Sequence, residues 1–157
     1  MIEFALIDKT VLQKFERGIV ILYLGNEKIR VSEQLAKGFF IPWNRVQNGP
    51  PIRIGRRDAP DDQIPIMPEI DFYDVMPTDT QRCVSRLQAA LEWLEHEPKL
   101  RTLSVKSGTW IRRSGSKKKK AIQLHEYHTL KHGDMIQLGH PKGVYVRLRI
   151  HFHGSPK

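Results

Sequence analysis

The stretch VSRLQAAL, residues 84–91, fits two backbone periods at once. Leu87, Ala90, Leu91 and Leu94 fall at i, i+3, i+4 and i+7, the spacing of one helical face. Ala89, Leu91 and Trp93 alternate with Gln88, Ala90 and Glu92, the spacing of a strand. Intrinsic propensity in LQAALEWLE leans to the helix, but tertiary pairing overrides propensity in a segment this short. The surrounding chain therefore decides, and with it the fold class.

Outward from that stretch the chain is punctuated like a β-protein. At the C-terminus VYVRLRIHFH (144–153) puts Val144, Val146, Leu148, Ile150 and Phe152 on one face, and Tyr145, Arg147, Arg149, His151 and His153 on the other. MIQLG (135–139), LRTLSVKSGTWIR (100–112) and IRIG (52–55) supply further short strand candidates. IVILYL (19–24), GN (25–26) and EKIRV (27–31) predict a hairpin, since Gly and Asn tolerate the positive φ of a two-residue turn. GFFIPW (38–43) predicts a strand that Pro42 ends or confines to an edge. Residues 1–18 show no clean period and predict an arm or short helix. Residues 58–80, with four prolines and seven acids, predict an irregular excursion around EIDFYDV. Short strands between Gly/Pro turns indicate an all-β sandwich or barrel.

With 157 residues the chain is long enough for one domain with a substantial core. Its longest apolar run, Ile19–Leu24, is too short to span a membrane, and no signal peptide is read at the start. Cys83 is the only cysteine, which fits a reducing, cytoplasmic setting. The net charge of +9 is uneven. Lys and Arg stand at seven against five acids in residues 1–50, six against ten in 51–100, and thirteen against two in 101–157. A positive C-terminal third implies an anionic partner.

Four pieces then occur in order: IRIGRRD (52–58), CVSRLQAAL (83–91), LSVKSGTWI (103–111) and LKHGDMIQLG (130–139). Together they resemble the forkhead-associated (FHA) domain family, whose pattern runs I-G-R, V-S-R-x-H-A, S-x-N-G-T-x-V and L-x-x-G-D-x-I-x-L-G. The resemblance covers about residues 50–153. It implies an all-β, two-sheet antiparallel sandwich with ligand loops at one end, a strand rather than a helix at 87–95, and no catalysis. The division it suggests is an N-terminal extension over 1–40, able to complete the sandwich, and an FHA domain over 41–157.

The family binds phosphothreonine peptides, so the resemblance also implies a ligand, a phosphothreonine-containing protein downstream of a Ser/Thr kinase, and a set of contacts. A phosphate carries nearly two charges and three acceptor oxygens, and is met by a guanidinium fork, a hydroxyl and further donors from separate loops. By motif position Arg56 is the anchor, with Arg57 as alternate. Ser85 supplies its hydroxyl and backbone N–H, Arg86 a second cation, and Lys106 a further reach. Ser107 stands where the family's Asn clamps the peptide backbone, and Val105 where it has Ser. Gln88 replaces the family's scaffold His, and can both donate and accept. Gly55, Gly108, Thr109, Gly133 and Asp134 match positions that order turns and loops.

Other chemistry is weaker. The pair His125 and His128, with His132 beyond it, and the pair His151 and His153 each lack a third ligand at suitable spacing, so no metal or other cofactor is expected. No nucleophile elbow, phosphate loop or zincin motif is present, and Ser85 has no local base. The competing classes are nucleic-acid binding through Lys117–Lys120, Arg112, Arg113 and Trp110, and a degenerate FHA scaffold that binds an unphosphorylated protein partner through a sheet face or the N-terminal arm. Flanked by glycine and lacking an apolar residue, SGSKKKK (114–120) is expected to be an extended, mobile loop.

Overall fold

In the computed structural model of the protein, residues 2–14, 17–57, 68–73, 75, 83–104 and 108–156 are described. The elements run β1 (Phe4–Leu6), α1 (Lys9–Lys14), β2 (Gly18–Asn26), a short 3-10 turn (Glu33–Leu35), β3 (Lys37–Pro42), α2 (Trp43–Asn48), β4 (Ile52–Gly55) and β5 (Ile70–Asp71). They continue with β6 (Ala89–Leu94), β7 (Glu97–Thr102), β8 (Thr109–Arg112), β9 (Lys120–Ala121), β10 (Tyr127–Thr129), β11 (Met135–Leu138) and β12 (Val146–His153). Among the described residues these form two sheets. One has the order β1-β3-β2-β12-β11-β8-β9, the other β10-β7-β6-β4-β5. Between these strands all pairings are antiparallel except β4 with β5, and a single parallel bridge joins Thr102 to Leu124. Among the described residues no helix is long and apolar enough to cross a membrane.

The ambiguous stretch is strand β6. It is a central strand of the smaller sheet, with Leu91 opposite both Ile52 and Leu100, and Ala89 opposite Ile54 and Thr102. Backbone hydrogen bonds on both sides outweigh the helix propensity of its residues. Glu95 (φ 54) and His96 (φ 64) turn it into β7. Positive φ at both central residues matches the twist of a two-residue hairpin.

Between the sheets lies one core. Ile19, Ile21, Leu138, Leu148 and Ile150 of the larger sheet face Ile52, Ile54, Leu91 and Leu100 of the smaller. Trp43 of α2 closes one side, edge-on to Trp93 and Phe152. The outer face of β2 is also buried: Val20, Leu22 and Leu24 pack with Ile7 and Ala36 in a second cluster. Cover on both faces explains why the run 19–24 does not alternate.

The expected hairpin over 19–31 is corrected. Asn26 Oδ1 accepts from Lys28 and Ile29 N–H at 2.8 Å each, forming a tight side-chain turn. Only an isolated bridge joins Gly25 to Arg30, and the long antiparallel partner of β2 is β3. The N-terminal segment contributes β1 as well as the short helix α1. Ile70 and Asp71 of the acidic stretch are not irregular, since they add a parallel strand to β4. Val144 is exposed, because β12 begins only at Val146.

Candidate functional site

β4 ends at Gly55, β6 begins at Ala89, and β8 begins at Thr109, so three loops meet at one end of the sandwich. Gly55 makes the meeting sterically feasible. A Cβ there would lie 1.9 Å from the Arg86 carbonyl oxygen, so the Ser85–Arg86 backbone rests directly on the end of β4.

Gln88 ties these loops together. It is fully buried. Its Oε1 accepts from Ser85 N–H at 2.9 Å. Its Nε2 donates to the Gly108 carbonyl at 2.6 Å and lies 3.1 Å from Thr109 Oγ1. Its own backbone N–H donates to the Ile54 carbonyl, and its carbonyl accepts from Leu103 N–H. The loop after β4, the 83–88 loop and the start of β8 thus share one amide side chain. Gly108, at φ +77, and Thr109, buried, hold their places as loop-ordering residues. Gly139 N–H also donates to the Gly108 carbonyl, at 3.1 Å.

On this frame Arg56 Nε donates to the Val84 carbonyl at 3.1 Å, laying the guanidinium along the Ser85 loop. Among the described residues no partner engages its two terminal nitrogens. Arg57 is placed differently. It pairs with buried Asp71 at 3.4 Å and lies 4.8 Å from the centre of the Tyr73 ring. Asp71 Oδ1 in turn accepts from the backbone N–H of Arg57 and of Tyr73. Arg57 therefore braces β5, whereas Arg56 faces the loops. Ser85 Oγ lies 2.7 Å from Ser104 Oγ. The Ser85 N–H, expected to meet the ligand, is donated to Gln88 instead, which leaves the hydroxyl as this residue's contribution. Arg86 is exposed beside it. Lys106, Ser107 and Val105 lie outside the described residues. Ser104 was not singled out from sequence; its only signal was two hydroxyl residues at loop positions that a sandwich brings together.

Gly133 and Asp134 lie at the other end of β11. Gly133 has φ +88, and buried Asp134 accepts from Lys131 N–H at 2.8 Å and from Arg113. They order that far turn rather than the ligand loops.

Burial, with the Glu27 charge, pushes the Cys83 thiol up to about 12, so it stays protonated and inert. Burial lowers His128 and His151, helped by Arg113 beside the first and His132 beside the second, so both favour the neutral form. Among the described residues no three metal-ligating side chains cluster. The lysine run is less free than its composition predicts. Lys119 donates to Gln137 at 2.9 Å, and Lys120 enters β9 opposite Ile111.

The FHA domain family profile matches residues 52–139, more than half of the chain. Among solved structures the chain resembles an FHA domain of an Arabidopsis thaliana hypothetical protein, with 18% identity over 90% of this chain and 91% of that one, at a TM-score of 0.54. It also resembles an engineered FHA with a Myc-pTBD peptide, with 16% identity, 88% and 93% coverage and a TM-score of 0.53. A third is the N-terminal FHA domain of S. cerevisiae Rad53p in complex with a phosphothreonine peptide, with 13% identity, 86% and 93% coverage and a TM-score of 0.53. No curated protein matches the chain. The matched segment contains Gly55, Arg56, Ser85 and Gln88, the residues that build the loop cluster, and the chain belongs to the FHA domain family of phosphopeptide-binding modules.

Proposed function

We propose that the protein is a non-catalytic module that binds a phosphothreonine-containing protein downstream of a Ser/Thr kinase, with residues 1–40 completing the sandwich around an FHA domain over 41–157. One observation carries the reading. Of two adjacent arginines, Arg57 is committed to Asp71 and Tyr73, while Arg56 is held by one bond through Nε with its terminal nitrogens unengaged among the described residues. A guanidinium fixed at its root and open at its fork is suited to bidentate contact with a phosphate. Ser85 adds a hydroxyl within the same loop cluster, and Arg86 adds charge. Lys106 and Ser107 are assigned to the peptide by motif position alone. A lone buried thiol suits a cytoplasmic setting.

Arg56→Ala tests the reading by calorimetry against a phosphothreonine peptide library pool and its unphosphorylated match. The wild type should bind only the phosphorylated pool. The variant should keep its melting temperature and lose about 2–5 kcal/mol of binding, a drop of roughly 30-fold or more in affinity. Affinity within a factor of two of wild type in a folded variant overturns the assignment, and equal binding of the unphosphorylated pool replaces it with a phosphate-independent scaffold.

A further inference from the structure

The outward face of the larger sheet is cationic. Arg112 of β8 pairs with Met135 of β11, Met135 with Arg149 of β12, and Arg149 with Leu22 of β2. Lys119, just before β9, extends the row beyond Arg112. From Lys119 across Arg112 and Met135 to Arg149 is three strand spacings, so at about 4.8 Å each the cations span about 14 Å. Arg147, two residues from Arg149, lies on the same face, and Arg30 rims it.

These side chains line a hollow of about 330 Å³. A second, of about 340 Å³, adjoins it and shares Arg112, Met135 and Arg149, continuing to Arg113 and Lys117. Among the described residues, Glu33 is the one carboxylate in either lining, and it is paired with Arg149 at 2.8 Å. The cations are held in place. Arg147 Nη2 donates to the Asn26 carbonyl at 3.0 Å, Arg149 Nη1 to the Gly133 carbonyl at 3.2 Å, and Lys119 to Gln137. Among the described residues Arg112 has no ion pair or hydrogen bond to offset its charge. Lys119 is shifted down by burial and then by Arg112 and Arg147, so the cluster repels itself. An anion in the hollow would relieve that repulsion.

Two aromatic rings accompany the row. Tyr145 lines the first hollow, 5.7 Å from Lys119 Nζ. Half-buried Trp110 sits on the same face, opposite Gln137 and edge-on to His140. A row of cations, three of them held by hydrogen bonds, bordered by ring faces is the arrangement that holds a phosphodiester backbone and stacks its bases.

We propose that this outward sheet face is a second binding site, and that its ligand is single-stranded nucleic acid. Phosphates lie along Arg147, Arg149, Arg112 and Lys119, and bases pack on Trp110 and Tyr145. Two joined hollows fit an extended polymer better than a compact anion. Aromatic rings beside the cations favour bases over the side chains of an acidic peptide.

Fluorescence anisotropy with a labelled oligothymidylate of about twelve nucleotides, on the full chain, tests this. Binding to four or five phosphates should give a log–log salt slope of about −3. Arg112→Gln with Lys119→Gln should weaken binding by about tenfold or more at 0.15 M salt and make the slope shallower by about 1.4 units. Trp110→Leu should weaken binding without changing the slope. Arg56→Ala should leave it intact, which separates this site from the phosphopeptide loops. Absent binding, binding indifferent to the groove variants in proteins that melt like wild type, or equal displacement by polyglutamate at matched charge overturns the proposal.

Discussion

Gln88→Leu removes the amide that joins three loops and keeps nearly the same volume. In the wild type that side chain satisfies Ser85 N–H, the Gly108 carbonyl and Thr109 Oγ1. After the change the Gly108 carbonyl keeps its bond from Gly139 N–H. Thr109, buried, and Ser85, half-buried, lose theirs. Leaving one buried and one partly buried group unpaired costs about 3 kcal/mol together. For a domain of this size that lowers the melting temperature by about 6–12 °C. The Ser85 loop also loses the bond that fixes Ser85 against Gln88, while Arg56 keeps its bond to the Val84 carbonyl, so phosphopeptide affinity should fall by about tenfold in protein that is still folded. Thermal unfolding by circular dichroism and calorimetric titration below the transition measure the two effects separately. Gln88→His is the companion variant: imidazole carries one donor and one acceptor, and should recover more than half of the lost melting temperature. A Gln88→Leu protein that melts within about 2 °C of wild type and binds the peptide equally well would refute the idea that this amide holds the loops.

Arg57→Ala should act in the opposite way to Arg56→Ala, since it leaves the Asp71 carboxylate buried without its cation. It should lose about 3 kcal/mol of stability in urea unfolding while the folded fraction changes peptide affinity by less than about threefold; a larger affinity loss at constant stability would reassign the phosphate anchor. Cys83 should resist a neutral alkylating reagent at pH 8 until the protein is unfolded in denaturant, and rapid native labelling would contradict its burial. The same thiol sets a pH limit. Its folded value, about 12, lies above the ordinary value of 9.0, so between these the unfolded chain alone releases the proton and stability declines as pH rises through that window. Cys83→Ala should flatten the alkaline part of the stability curve, and an unchanged slope would refute the shift.

The strands were legible wherever the chain shows one wet face or carries an ordered motif. β12 alternates because its outward residues are polar, arginine and histidine. β6 does not announce itself, since Ala89, Ala90 and Leu91 are all buried, and only the ordered FHA motifs separated strand from helix. The misplaced hairpin after β2 has a local cause. A turn does follow Asn26, over Glu27 and Lys28, but the chain leaves it after one bridge, and Ala36 returns to cover Leu22 and Leu24. That return is long-range, and nothing between residues 25 and 31 encodes it.

The site divides along a similar line. Gln88 as a two-way hydrogen-bonder was readable from its chemistry, because an amide can replace an imidazole where one donor and one acceptor are needed. The cost of that role was not: satisfying Gln88 Oε1 takes the Ser85 N–H, one of the donors the motif suggests for phosphate. Which of Arg56 and Arg57 is open depends on Asp71, reached only because β5 pairs in parallel with β4. The lysine run shows the same limit from the other side. Composition treats Lys117–Lys120 as four equivalent charges. Strand pairing places Lys120 in β9 and folds Lys119 over the sheet toward Gln137. Charge density can be counted along the chain, but a site requires cations at fixed separations. On this sheet the separations come from strand register, which sets Arg112 beside Lys119 and brings both to Arg149 from a distant segment.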